Sequence, residues 1–265
     1  INKTNLVSSS GVVATDTTGV GTARSALAAT NYGGDKAIFA YGTSSNLSNL
    51  VSNSGVVASD TSGVGTARAG LAAAPYGEDK AIFGYGASSN LSNLVSNSGV
   101  VASDTSGVGT ARGYLGAASY GGDKVIFGYG YASNYSSLTN LVNNVGVVAS
   151  DVTGVGTVRA GVAAATYGSD KAIFAYGNDN NNLSMSNLVN NVGVVASDVS
   201  GVGTARYRLS ATSYGGDKAL FGFGYTSSVV SMTNLVNNSG VIAADVTGVG
   251  SAQWLAGAAT FSYSA

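Results

Sequence analysis

The chain predicts an all-β fold: a β-propeller of about six four-stranded blades, five complete and one split between the N- and C-termini. Three observations lead there. The ten residues "GGDKAIFAYG" at 33–42 return as "GEDKAIFGYG", "GGDKVIFGYG", "GSDKAIFAYG" and "GGDKALFGFG". A second anchor keeps the same step: Asn5, Asn49, Asn93, Asn140, Asn187 and Asn234 each open "NLV", spaced 44 residues apart at first and 47 later. Periods of this length mark repeat architectures. Each repeat, finally, reads as about four short extended segments, the count of one propeller blade. The alternatives are five blades, or a β-solenoid or fibre.

Within residues 24–67 the segments follow in order. "SALAATNYG" is a run of small residues stopped by Gly33 and Gly34, and "KAIFAYG" sets Ala37, Phe39 and Tyr41 against Ile38 and Ala40, the period of two of a strand. After a polar loop, "SNLSNLV" and "GVVASD" supply two more extended segments, and "TSGVGTAR" leads into the next repeat. The Gly, Val, Thr and Asn content, with apolar spacing that never settles at three to four, disfavours helix. A single repeat domain over 1–265 then holds complete repeats at approximately 23–66, 67–110, 111–157, 158–204 and 205–250. Residues 1–22 give the closing blade its third and fourth strands, and 251–265 its first. Its second has no source. The sixth blade is therefore expected to be three-stranded, or to be completed by another segment or chain. Pairing the two chain ends removes exposed sheet edges.

The order "TAR..LAA..YG.DKAIFGYG", a loop, then "NLV...GVVASD..GVGTAR" resembles the Kelch repeat, with an arginine before a small-residue first strand and a second strand ending in glycines. The paired glycines of Kelch are split here as "GYG" or "AYG", and the tryptophan usual near the fourth strand is missing. The wording "KAIFGYG" and "TGVGTAR" is also similar to repeats in structural, tail- or virion-associated proteins of tailed phages. These likenesses imply blade architecture and a virion component.

Composition narrows the chemistry. With 12 Lys+Arg and 13 Asp+Glu, charged residues make up 9% of the chain, against about 25% in an average domain. No concentrated basic face is available for nucleic acid or an anionic membrane surface. No apolar run approaches the roughly 18 residues that span a bilayer, so no membrane insertion is expected. The first residue is Ile1, which suggests an N-terminal segment lost by processing or left out. Cysteine and histidine are both absent, which removes thiolate and imidazole ligands, disulfides and the usual general base. The expectation is no enzyme and no cofactor. "GVGTAR" holds a GxG, but a strand rather than a helix follows, so it makes no phosphate cradle.

The charges themselves repeat. Asp16, Asp60, Asp104, Asp151 and Asp198 stand eight residues before Arg24, Arg68, Arg112, Arg159 and Arg206. With Asp245 and the Asp-Lys pairs beginning at Asp35, Asp79, Asp123, Asp170 and Asp217, they leave only Lys3, Glu78, Asp179 and Arg208 outside the pattern. Such regularity reads as structural: partly buried bridges between blades, or turns held by carboxylates accepting backbone N–H groups. The alternative is a carboxylate ring holding a cation in a metal-dependent enzyme. Where a sixth arginine would stand is Gln253, followed by Trp254.

Specificity is expected where the repeats differ, because loops on a rigid scaffold carry it. The connections from second to third strand read "TSSNLS", "ASSNLS", "YASNYSSLT", "NDNNNLSMS" and "YTSSVVSMT". The three longer ones gain Tyr131, Tyr135, Asp179, Asn180, Asn181, Met185, Tyr225 and Met232, and all are expected on one rim as a polar and aromatic binding surface. Solvated loops that tolerate insertion are the plainer reading. The repeated Tyr32, Tyr76, Tyr120, Tyr167 and Tyr214 read as packing rather than a sugar-stacking array. Sequons at Asn2, Asn46, Asn90, Asn134 and Asn182 would carry glycans only in a eukaryotic secretory setting. The functional expectation is a non-enzymatic structural or adhesive module, in a virion or extracellular, that binds a glycan or protein on a cell or virion surface through rim loops. The alternative is a virion assembly subunit completed by a neighbouring chain or other virion subunits.

Overall fold

A computed structural model describes residues 2–261 and is all-β, with no helix among them. Residue 1 and residues 262–265, assigned above to the closing unit, lie outside the described residues. Five antiparallel sheets follow one another: β1 (Ala28–Tyr32), β2 (Lys36–Ala40), β3 (Ser48–Val51); β4 (Ala72–Tyr76), β5 (Lys80–Gly84), β6 (Ser92–Val95); β7 (Gly116–Tyr120), β8 (Lys124–Gly128), β9 (Thr139–Val142); β10 (Ala163–Tyr167), β11 (Lys171–Asn178), β12 (Asn182–Val189); and β13 (Ser210–Tyr214), β14 (Lys218–Gly222), β15 (Thr233–Val236). In each, the middle strand carries the Lys-Ala-Ile-Phe motif and pairs with both neighbours, as in Ile38 opposite Thr30 and Leu50. The first strands of successive sheets face one another, and their alanines allow that close approach.

The sheets have three strands, not the four expected. "GVVASD" still runs antiparallel to the third strand, but only through isolated bridges such as Val51 to Val57 and Ser48 to Thr61. Four residues on one side face five on the other, so one residue bulges. The asparagine of "NLV" explains the interruption. Asn49 Nδ2 donates to Ala58 O at 3.1 Å and to Asp60 Oδ1 at 2.8 Å, so a side chain takes the place of a ladder bond. The same pattern recurs at Asn93, Asn140, Asn187 and Asn234. The connection "NDNNNLSMS" departs from expectation too: β11 and β12 run on through it, turned by Asn180 and Asn181, whose N–H groups donate to the side chains of Asn178 and Asp179.

Contacts between units repeat and include the chain ends. Gly70 N donates to Ala26 O, Tyr114 N to Gly70 O, Gly161 N to Tyr114 O, Arg208 N to Gly161 O, Leu255 N to Arg208 O, and Ala26 N to Leu255 O. These six bonds, 2.7–3.1 Å long, return to their starting residue. All six residues have φ between +54° and +65°, a region costly for the non-glycine members and held here by the circuit itself. A second series is equally regular. Tyr32 lies against Gly99, Tyr76 against Gly146, Tyr120 against Gly193 and Tyr167 against Gly240. Tyr214 meets Gly11 and Phe261 meets Gly55, so both terminal segments take part. A Cβ on Gly99 would stand 2.9 Å from the Tyr32 ring, which is why a glycine is required there.

The core lies between sheets. Phe83, Phe127, Phe174 and Phe221 are fully buried, each worth roughly 1.5–3 kcal/mol in transfer from water. Each meets a tyrosine of the preceding unit edge-on: Tyr41, Tyr85, Tyr129 and Tyr176, at 5.2–5.6 Å between ring centroids. Over each tyrosine lies the arginine of the next unit, with Arg68, Arg112, Arg159 and Arg206 at 4.0–4.6 Å from the ring centroid.

Candidate binding face

The repeated charges pair differently from their sequence spacing. Arg24, Arg68, Arg112, Arg159 and Arg206 approach not the aspartate eight residues upstream but Asp60, Asp104, Asp151, Asp198 and Asp245 at the far end of the same repeat, at 3.5–3.9 Å. Closer bonds hold the guanidinium: Arg159 donates to Asn187 Oδ1 at 2.6 Å, Tyr176 O at 2.9 Å and Thr157 O at 3.0 Å. The carboxylates in turn fasten the threonines after the turn glycines. Asp151 accepts from Thr110 Oγ1 at 2.6 Å and from Thr110 N, and Asp16 accepts from Ser251 Oγ and N across the chain ends. Burial pushes the Asp151 carboxyl up, yet Thr110 and Asn140 outweigh it and leave it below the ordinary range. Asp16 is held well down, first by Lys3 and then by Ser251 and Asn5. Among the described residues no three acidic side chains gather as a cation site would require.

Each connection between second and third strands is tied to the residues just ahead of the hydrogen-bond circuit. Thr43 N donates to Ser25 O and Ala87 N to Ala69 O, while Tyr131 bridges Gly113, Asn178 bridges Ala160 and Tyr225 bridges Tyr207. The three longer ones also touch in sequence: Tyr135 Oη donates to Asn178 Oδ1 at 2.9 Å, and Asn182 Nδ2 to Thr226 O at 3.0 Å. Tyr131, exposed, packs edge-on against half-buried Tyr135 at 5.2 Å. Asn180 and Asn181 are exposed at the hairpin tip beside Asp179. Met185 lies inside β12 and Met232 directly before β15, both half-buried, so neither belongs to a loop tip. The sequon amides of Asn2, Asn46, Asn90 and Asn182 already donate to backbone carbonyls, while Asn134 is exposed.

Beside these connections the circuit carries a cluster the loops alone do not reveal. Arg208 Cζ lies 4.7 Å from the Tyr114 ring, 5.3 Å from Tyr207 and 4.8 Å from Trp254. Tyr225 joins it, at 5.6 Å from Tyr207 and 5.0 Å from Trp254. No carboxylate pairs with Arg208 among the described residues, so a guanidinium framed by aromatic faces stands without a counter-ion. The signal for this cluster lay in the exceptions to the repeat. Arg208 is the one arginine off the charge pattern, Trp254 the one tryptophan, and Tyr114 and Tyr207 replace small residues such as Gly70 and Ala69.

No protein-family model matches the chain, and no curated protein matches it.

Proposed function

We propose that the chain is a six-bladed propeller acting as a non-enzymatic adhesive module, in a virion or extracellular, that binds glycan through the rim where the circuit and the long connections meet. Kinship with Kelch or phage virion proteins belongs to the same proposal. The sixfold hydrogen-bond circuit through both terminal segments supports the blade count. The observation that carries the binding reading is the cluster of Arg208 with Tyr114, Tyr207 and Trp254, continued by Tyr225. Aromatic faces stack on the apolar faces of sugar rings, Asn and Tyr polar groups meet hydroxyls, and an uncompensated guanidinium favours a carboxylate or sulfate substituent. A glycan array with neutral and acidic members tests it. Binding is expected to favour acidic glycans and to fall at least tenfold in Arg208→Gln and in a Tyr131→Ala/Tyr225→Ala variant of unchanged melting temperature. Equal binding by these variants overturns the reading. A second reading, an assembly subunit completed by a neighbouring chain, is favoured by the geometry of the split unit.

A further inference from the structure

Most features that set the split unit apart trace to a second strand absent among the described residues. In complete units the phenylalanine of the second strand is shut in by a tyrosine from the unit before; Phe39, whose neighbour is the split unit, is only half-buried while its four counterparts are fully buried. The valine ending "NLV" is 0–4% exposed in Val51, Val95, Val142, Val189 and Val236, yet Val7 is half-buried and Leu6 is 40% exposed. Two buried side-chain polar atoms have no partner among the described residues: Asn5 Oδ1, whose counterparts accept from the arginine that Gln253 replaces here, and Arg24 Nε, whose counterparts donate to a carbonyl of their own unit. Arg24 has a side chain only 4% exposed, but no ring lies beneath it, whereas four other arginines each stack on a tyrosine of the preceding unit. Its carbonyl is likewise the one in its series without a glycine donor: Gly42, Gly86, Gly130, Gly177 and Gly224 donate to the residue at this position in the following unit, Arg68 through Gln253.

The flanking segments nevertheless keep their stations. Phe261 meets Gly55 and Asp16 meets Ser251, as their counterparts do in complete units, so the gap between residues 256–261 and residues 4–7 has not collapsed. It opens into a larger cavity of about 1300 Å³ that also runs along the first strands of all five sheets, past Ala73, Ala117, Ala164 and Ala211, and Phe39, Phe223, Arg24 and Val7 line its part beside the gap. Residues 257–261 and 4–7, which flank the gap, belong to no named strand.

We propose that this gap is an acceptor site for one extended peptide strand from another chain, with the chemistry of the repeat's own second strand, Lys-Ala-Ile-Phe-Gly-Tyr. The inference rests on the six-bladed reading. The repeat dictates the register: the strand lies antiparallel between residues 257–261 and 4–7. Its tyrosine slides under the Arg24 guanidinium and against Phe39, its phenylalanine packs on Phe223, and the glycine after the tyrosine donates to Arg24 O. This is β-strand addition with main-chain bonds giving affinity and two aromatic pockets giving specificity.

The test uses the full chain and a capped peptide of the sequence at 123–130, Asp-Lys-Val-Ile-Phe-Gly-Tyr-Gly. Expected are saturable one-to-one binding by calorimetry, a rise in melting temperature, and at least tenfold weaker binding when the peptide's Tyr or Phe is Ala. A second chain in which residues 262–265 are replaced by Gly-Gly-Asp-Lys-Ala-Ile-Phe-Gly-Tyr-Gly is expected to melt higher and to refuse the peptide. Equal binding of a scrambled peptide, or no binding and no gain from the fused strand, overturns the proposal. Hydrogen exchange separates this failure from failure of the six-bladed reading: protected Ala26 and Leu255 amides keep the circuit intact whatever the peptide does, and fast exchange there rejects the circuit itself.

Discussion

Replacing Arg159 with Met tests what holds neighbouring units together. The guanidinium is fully buried, donates to Asn187 Oδ1, Tyr176 O and Thr157 O, and lies 4.0 Å over the Tyr129 ring. Its ion pair with Asp198, at 3.9 Å and with that carboxylate 30% exposed, adds little. Met fills much of the volume, so the loss is chiefly polar. Orphaned acceptors cost about 1–3 kcal/mol each, and a desolvated cation–π contact contributes about 2 kcal/mol. These terms overlap, and a loss of about 4 kcal/mol is expected. At roughly 2–4 °C per kcal/mol for a chain of this size, the melting temperature should fall by about 10 °C. Calorimetry and urea unfolding measure it. Adding Asn187→Leu should cost less in the R159M background than on its own, because the Oδ1 partner is already gone, while its amide bonds to Ala196 O and Asp198 Oδ1 are lost in either case. The molecule also carries its own control: Arg24, with no ring beneath it and Nε unpartnered, should lose about half as much on the same change. A loss under about 1 kcal/mol at Arg159, or equal losses at the two sites, refutes the reasoning.

Three further outcomes follow from the same contacts. Burial, only partly offset by the overlying arginines, pushes the Tyr41, Tyr85 and Tyr129 hydroxyls up to about 12. The folded state therefore keeps protons that the unfolded chain releases near pH 10, and stability should fall between about pH 10 and 12, by on the order of 2 kcal/mol per tyrosine, with phenolate absorbance rising together with unfolding. At the acid end, Asp104, Asp151, Asp198 and Asp245 are held low in the fold, so their contribution is present above about pH 4 and lost as pH falls below it; Thr110→Val should shrink that acid loss in urea titrations. Asn140→Leu should cost about 3 kcal/mol and speed exchange at the Ala149 and Val152 amides, because the fourth segment loses the side chain that stands in for its ladder.

The parts of the fold legible in the sequence were those written in period. Alternation in "KAIFAYG" places the middle strand, and the turn glycines bound it. The three-strand count was not legible, since nothing in a lone "NLV" says that its asparagine will spend its amide on the neighbouring carbonyl rather than on water. Nor was the partner of each arginine: spacing along the chain pointed eight residues back, but the sheet folds the far end of the repeat over it. At the binding face, the loop insertions drew notice to Tyr131, Tyr135 and Tyr225, and missed that left-handed backbone at Tyr114 and Arg208 presents their side chains beside those loops. Positive φ at a non-glycine residue leaves no mark in composition. Met185 was misread for the opposite reason, because polar neighbours in "NDNNNLSMS" concealed a strand that continues.

The split unit raises a question of competition, since the chain owns five strands of the required chemistry and none of them fills the gap among the described residues. Each of those strands is tied at both ends. A turn of a few residues fixes it to its first strand, and glycine N–H bonds fasten four of those turns to the next unit, as in Gly33 to Asp79 O. Moving one into the gap would open an identical gap elsewhere and expose another Phe and Val, so the exchange gains nothing while breaking the turn. A strand from outside has no such site to vacate. It gains Phe39, Val7 and Arg24 as new contacts at the cost of its own ordering, which favours a partner whose strand is already held extended. The seam is thus selective against the chain's own copies by connectivity, although it matches them in chemistry.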